Sequence, residues 1–358
     1  MKDVAKMVGV SQATISYAYS RPHKISTVRR EIIMKAAEDL GYPGPHIAGQ
    51  LLKSGRIGAA GLMVTGSLSY AITDPSAQMV LKGIAEVGDF RNIPLTIFPL
   101  QENQVPESVQ DKEKVPIPAA SPVLRGLVDG LVVYAVPEDN GLFHDVLRKR
   151  LPVVAIDGPI VHGVPHVAID DQRASAELMR FALQFGHRNI AIILDRLTRS
   201  EGAHFIEADQ LHNSPYNVSR NRLRGYCNAI DGHDIDLGSI TIADAGGFDR
   251  NHARSAIDLV LEKTIPTLVV CMTDVQAIWV GRRLQERGFN IPEDISLVGF
   301  DDNPSAEDFG LTTVRQPMIE KGHVAAQMLM DLLTGTKPKN NFLRTELIVR
   351  SSIGPCKP

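Results

Sequence analysis

From residue 57 onward the chain alternates short, continuous apolar runs with longer stretches of helical period. The runs lie at 59–64 (AAGLMV), 94–98, 130–136, 152–157, 189–194, 239–244, 267–272 and 295–300. A run that is apolar at every position, not every second one, suits a strand covered on both faces. Helical period fills 75–91, 141–150, 171–186, 219–231, 249–264, 274–287 and 318–334. Strands and helices in alternation predict a doubly wound α/β body with parallel sheets. Eight strands divide more readily between two sheets than they fit into one.

The first 45 residues follow a different rule. Val4, Ala5 and Val8 share one side of a short helix that Gly9 stops. Ser11 is a natural N-cap for a second helix, with Ala13, Ile15, Ala18 and Tyr19 as inward candidates. A third helix starts near Ser26 or Thr27, with Ile32, Ile33, Ala36, Ala37 and Leu40 at helical spacing. Gly41, Pro43 and Pro45 end it. Helix, tight turn, short helix and packing helix make a helix-turn-helix, whose second helix enters the major groove. Ser11, Thr14 and Ser16 could bond phosphates. Gln12 could offer its amide to adenine, Ala13 a methyl contact to thymine, and Tyr17 completes the outward face. Spacing alone leaves a plain helical cap as the alternative.

Charge separates the two parts. Residues 1–56 hold nine Lys/Arg against four Asp/Glu, a head of +5 on a chain of −3. A basic head on an acidic body suits a polyanionic partner for the head alone, although a solvated charged face has the same composition. Residues 46–56 (HIAGQLLKSGR) could form about two helical turns, too short to be stable alone. That segment reads as a linker or as a helix that folds on binding.

Composition excludes several classes. The three cysteines, Cys227, Cys271 and Cys356, form no CxxC pair and suit a reducing compartment. No leader and no membrane-spanning apolar run is evident, so a cytoplasmic protein without membrane contact is expected. HExxH, GxSxG and GxxxxGK[ST] are absent, which argues against an enzyme such as a nucleoside hydrolase or sugar kinase. An exported solute-binding protein is disfavoured by the basic head. No cofactor and no metal is assigned. His204, Glu207, Asp209 and His212 in the polar insertion 196–217 could bind a metal, but a solvated loop near a pocket is the preferred reading, and the Pro-rich insertion 101–122 reads as a surface loop.

In doubly wound folds ligands sit beyond the carboxyl ends of the strands. Asp157, Asp274 and Asp301 stand there, able to bind ligand hydroxyls or to cap helices.

Taken together, the stretches KDVAKMVGVSQATIS, REIIMKAAEDLGY, IAGQLLKSG, GHRNIAI, RLRGY, TDVQA, IPEDISLVGFDD and LTTVRQP resemble the lactose-repressor (LacI/GalR) family of bacterial transcription regulators. The resemblance spans essentially the whole chain. It implies a homodimer or tetramer, acting as a repressor on a pseudo-palindromic operator in double-stranded DNA and gated by a small-molecule effector. No leucine-heptad stretch follows Pro355, which disfavours a tetramer held by a C-terminal coiled coil. Gln12, Ala13 and Tyr17 match base-facing positions. Ala48 to Lys53 matches a hinge helix in which Ala48, Leu51 and Leu52 meet DNA, Leu51 as the wedge in a minor-groove step. Gly49 and Leu52 replace residues that are often basic or polar in relatives.

The implied organisation is a head (1–45), a hinge (46–56) and a periplasmic-binding-protein-like body (57–358). One lobe holds about 57–157 and 318–340, the other about 158–317 and 341–358, with crossings near 157–162, 315–318 and 338–343. By motif position, Arg222, Asp157, Asp274 and Asp301 contact the effector, with a salt bridge as the alternative for Arg222. Tyr70 and Asp74 lie in the segment lining the cleft. That segment lacks the commoner Phe near its start, which suggests an effector other than an ordinary hexose, while Arg and several Asp converging on the cleft suit a polyhydroxylated (sugar) or nucleoside-like molecule.

Overall fold

The computed structural model describes residues 1–20, 22–42, 57–88, 93–100, 127–211, 214–233 and 235–357. The chain forms two compact units, Met1–Ile57 and Gly58–Pro358.

The first unit contains three helices, α1 (Lys2–Val8), α2 (Gln12–Ser20) and α3 (Thr27–Asp39). Gly9 ends α1 at φ 70°, a left-handed conformation that a side chain would strain. The Ser11 hydroxyl accepts from the Thr14 amide at 3.1 Å and caps α2; Ser26 caps α3 through the Arg29 amide. Val4, Ala5, Ile15, Ala18, Ile33, Ala36 and Ala37 close a small core. Ala13, Ile32 and Leu40, expected to face inward, are exposed. Three short helices enclose too little volume to bury every apolar position at helical spacing.

In the second unit, β1 (Ala60–Thr65), α4 (Leu68–Thr73), α5 (Pro75–Glu86), β2 (Leu95–Leu100), β3 (Gly130–Tyr134), α6 (Gly141–Arg148), β4 (Val153–Ile156) and β5 (His166–Ile169) come first. Then follow α7 (Asp171–Leu183), β6 (Ile190–Leu194), β7 (His204–Phe205), α8 (Asn217–Asp231), β8 (Thr241–Asp244), α9 (Arg250–Lys263), β9 (Leu268–Cys271), α10 (Asp274–Glu286), β10 (Ser296–Val298) and α11 (Pro304–Phe309). The chain closes with β11 (Thr313–Arg315), α12 (Met318–Thr334), β12 (Asn341–Leu343) and β13 (Glu346–Ile348).

Two sheets result, with strand orders β12-β5-β4-β3-β1-β2 and β10-β9-β6-β8-β7, and β11 pairs with β13. Every pair within the two sheets is parallel except β7 with β8. Each of the eight predicted runs holds a strand, and the α/β class stands. The crossings do not all lie where the sequence suggested. β5 and β12 belong to the first sheet, so the first crossing follows Ile169, not residues 157–162, and the last follows Leu343. Both strands are short; β12 exposes Phe342, and the three apolar residues of β5 (167–169) are too few to mark a strand by pattern alone.

The helix α12 lies late in the chain yet packs on the first lobe, where Met318, Ala325 and Leu329 join Leu62, Val80, Ile84 and Val132 in one core. It crosses α5 at close range. A Cβ on Gly83 would lie 2.0 Å from the Ile319 carbonyl oxygen, and one on Gly322 would lie 2.3 Å from that of Val80.

Candidate functional site

A cavity of about 120 Å³ opens between the two sheets. It is walled by the carboxyl ends of β1, β3 and β4 on one side, and by residues following β6 and β9 with the start of α8 on the other. Tyr70, Asp74, Asp157, Arg222 and Asp301 all line it. Three lining residues, Ala135, Asp157 and Asp301, hold positive φ (49°, 57° and 119°), each costing on the order of 1–3 kcal/mol. Such strain persists only where the surrounding structure holds the backbone, and it gathers at functional sites.

Arg222 sits at the back of the cavity and is buried. Its Nε donates to Asp171 Oδ1 at 2.8 Å, and its Nη1 reaches the Met272 carbonyl (2.5 Å) and Asp301 Oδ1 (3.4 Å). Its guanidinium carbon lies 3.7 Å from the centroid of the Phe300 ring. Gly225, one turn further along α8, makes this possible. A Cβ there would lie 2.2 Å from the Gln172 carbonyl oxygen, so only glycine lets α8 lie against the start of α7. Burial opposes the Arg222 charge, and Asp171 and Asp301 overcome it, holding the guanidinium above its ordinary range.

Asp157 faces a second buried cation. Lys321, on α12, donates to both Asp157 carboxylate oxygens at 2.6 Å and to Gln316 at 2.5 Å. Asp74 caps α5, accepting from the Ala77 amide at 2.7 Å. Asp301 accepts from Gln316 at 2.5 Å and from the Ser76 hydroxyl at 3.3 Å, the latter reaching across from the first lobe. Burial raises the Asp301 carboxyl to about 6 against the pull of Arg222.

Asp274 departs from expectation. It is absent from the cavity lining and braces the loop beside it, accepting from the Asn303 amide at 2.9 Å and the Thr313 hydroxyl at 2.6 Å. It thereby positions Asp301. A side chain on Gly299 would come within 2.5 Å of its carboxylate.

The sequence reading missed Asp195. It follows β6, lines the cavity and is buried, with the Thr273 hydroxyl 3.4 Å away. Burial, then the Asp301 charge, pushes its carboxyl up to about 8. The signal was present, since Asp195 ends an apolar run just as Asp157 does. Also missed were Tyr134, Tyr216, Asn217, Thr273 and Gln316, together with Phe248, whose ring lies 5.4 Å from that of Tyr70 across the cleft. In the 196–217 insertion, both His204 ring nitrogens are engaged, by Thr198 and the Gly202 carbonyl, and His212 lies outside the described residues.

On the first unit, Ser11, Gln12, Ala13 and Tyr17 are exposed on α2, while Thr14 and Ser16 are half-buried. The Ser11 and Thr14 hydroxyls bond each other at 2.9 Å. Ala48, Leu51 and Leu52 lie outside the described residues.

Comparison with known proteins covers both units. Residues 1–43 match the family described as bacterial regulatory proteins, lacI family, and residues 179–353 match the periplasmic binding protein-like domain. The chain is 33% identical to the HTH-type transcriptional regulator IpsA of Corynebacterium glutamicum, over 99% of this chain and 96% of that one. It is 31% identical to the HTH-type transcriptional regulator Rv3575c of Mycobacterium tuberculosis, over 99% and 97%. A crystal structure of a LacI-family transcriptional regulator from Corynebacterium glutamicum superposes with a TM-score of 0.74 at 29% identity, over 98% of both chains.

Proposed function

The chain belongs to the lacI family of bacterial regulatory proteins, and from that premise we propose that this DNA-binding transcription regulator acts as a dimeric repressor whose operator affinity is set by a small polyhydroxylated or nucleoside-like effector in the cleft between the lobes. The observation that carries the effector reading is the Arg222 centre: a buried cation held by carboxylates at the back of a cavity that both lobes line. Side chains from both lobes converge there, so a ligand that fills the cavity changes the free energy of lobe closure. Coupling of this kind is typically about 1–3 kcal/mol between sites, roughly 5–150-fold in affinity.

Gln12, Ala13 and Tyr17 read bases from the exposed side of α2, while Ser11, Thr14 and Ser16 serve phosphates. Ala48, Leu51 and Leu52 meet the minor groove at the operator centre, with Leu51 as the wedge. Two copies on a two-fold operator place two such helices in successive major grooves. Asp157, Arg222, Asp301, Tyr70 and Asp74 hold the effector, and Asp274 acts through the Asp301 loop. Chromosomal DNA as target implies a cytoplasmic protein.

The test is selection of bound sequences from a random DNA pool, followed by titration against the selected site at several salt concentrations. The expected result is a palindromic site bound far above random DNA, with affinity falling steeply as salt rises. Equal affinity for selected and random DNA would sink sequence-specific regulation. Leu51→Ala should lower operator affinity and reduce bending of the bound DNA.

A further inference from the structure

Lys321 lies behind the part of the cavity wall formed by Asp157 and Gln316. It stands on α12, is fully buried, and directs its ammonium at three acceptors. These are both carboxylate oxygens of Asp157, at 2.6 Å, and Gln316 Oε1, at 2.5 Å. A buried ion pair seldom stabilises a fold more than well-packed apolar side chains of similar volume would. Stability alone is therefore no sufficient reason for a lysine at this place.

The contact with Gln316 has a directional consequence. An ammonium group has three donors and no acceptor, whereas a carboxamide has one end of each kind. Facing Lys321, Gln316 can present only its oxygen. Its nitrogen then points the other way and donates to Asp301 Oδ1 at 2.5 Å. The reversed amide would set donor against donor at Lys321 and oxygen against carboxylate at Asp301. Hydrogen bonds thus run one way, from Lys321 on the first lobe, through Gln316 between β11 and α12, to Asp301 on the second. Arg222 Nη1 and the Ser76 hydroxyl also donate to the Asp301 carboxylate, at 3.4 and 3.3 Å. A protonated Asp301 would need an acceptor among these groups. The Ser76 hydroxyl could turn to accept at 3.3 Å; the Gln316 amide is closer, and Lys321 forbids its reversal.

We infer that Lys321 is a positioning residue of the cleft: by locking the Gln316 amide, it fixes Asp301 as a hydrogen-bond acceptor toward the cavity. The inference rests on reading the cleft as the effector site. Around Asp301, Arg222 and Lys321 favour the charged carboxylate, while burial, Asp74, Asp195 and Asp274 oppose it. Tyr70 and Tyr134, whose hydroxyls burial keeps neutral, also feel its charge. The balance leaves the Asp301 carboxyl at about 6. A rise of about one unit, equivalent to about 1.4 kcal/mol, would therefore change its charge near neutral pH.

The test is a carbon-13 NMR titration of the full chain, labelled at the aspartate carboxyls, without DNA or added ligand. Asp301→Asn assigns the signal. In the double variant Asp157→Asn/Lys321→Met a negative and a positive charge leave together, so the net charge around Asp301 is conserved while the lock is lost. The Asp301 midpoint should rise by about one pH unit, because the freed amide can now accept from the protonated form. An ion pair serving stability alone would leave the midpoint at its wild-type value, and that result would overturn the inference. Gln316→Met keeps the Lys321–Asp157 pair and decides the question if the double variant does not fold. It should raise the midpoint by a similar amount, and combining it with the double variant should raise it no further. An unchanged midpoint in Gln316→Met, or fully additive rises, would also overturn the inference. No effector enters these titrations, so their failure would count against Lys321 and not against the reading of the cleft, which the effector response of Arg222→Met tests.

Discussion

Arg220 on α8 clasps both carboxylate oxygens of Glu138, at 2.9 and 3.1 Å, across the mouth of the cleft. Beside them, the Glu138 amide donates to the Pro215 carbonyl at 3.0 Å, and Arg199 meets Asp139 at 2.6 Å. Glu138 and Asp139 follow β3 of the first lobe, whereas both arginines belong to the second. The rim is thus tied by charge, separately from the interior.

These ties should favour the closed arrangement. Glu138→Ala and Arg220→Ala are each expected to weaken effector binding by roughly 3–10-fold, about 1 kcal/mol for a partly exposed pair. The double variant should lose little more than either single one. A double-mutant cycle read by calorimetry checks this, and fully additive losses would show that the pair does not act as a unit.

Arg222 has a structural role as well as a ligand-facing one. Removing it leaves Asp171 and Asp301 buried without their cation, which typically costs about 3–5 kcal/mol. Arg222→Met should therefore lower the denaturation midpoint of the body as well as abolish the effector response. Adding Asp171→Asn should restore part of the lost stability. A variant with wild-type stability and no response would show that ligand contact is its whole contribution.

Asp195 makes stability depend on pH. Its folded-state carboxyl is raised to about 8 from an ordinary 3.8, by burial and by Asp301, with Asp74 adding to the rise and Arg222 and the Thr273 hydroxyl opposing it. Between those values the folded protein holds a proton that the unfolded chain has released. Stability from this group is therefore complete below about pH 4, falls as pH rises toward 8, and levels off above. Asp195→Asn should remove the decline, so its melting temperature relative to wild type should rise between pH 5 and 8. A constant difference across that range would contradict the assignment.

In the head, fold and recognition should separate. Ile15 is fully buried, and Ile15→Ala should destabilise the three-helix unit by about 2–5 kcal/mol. Gln12 is exposed, and Gln12→Ala should leave the helical circular-dichroism signal intact. It should cost about 1–3 kcal/mol of discrimination at one base pair of the operator, visible as relaxed preference in a binding-site selection.

Much of this protein was legible along the chain. Continuous apolar runs mark strands buried on both faces, because hydrophobic patterning is local, and all eight became strands. Gly9, Ser11 and Ser26 announced helix boundaries because caps are made by neighbours in sequence. Asp157 and Asp301 could be singled out because they follow apolar runs, and Arg222 because its RLRGY stretch resembles a family motif.

The tertiary structure alone decided what those residues meet. Lys321 looks like any lysine on an amphipathic helix, yet it is fully buried against Asp157, 164 residues away. Asp274 and Asp195 both follow apolar strands, yet one braces a loop and the other faces the cavity. The crossing points differ because the sheet to which the short strands β5 and β12 belong is set by the neighbours they pair with, β4 and each other, which local pattern does not show. Period and caps depend on residues a few positions apart. Charge compensation, cavity size and sheet membership depend on residues that only folding brings within a few ångströms of each other.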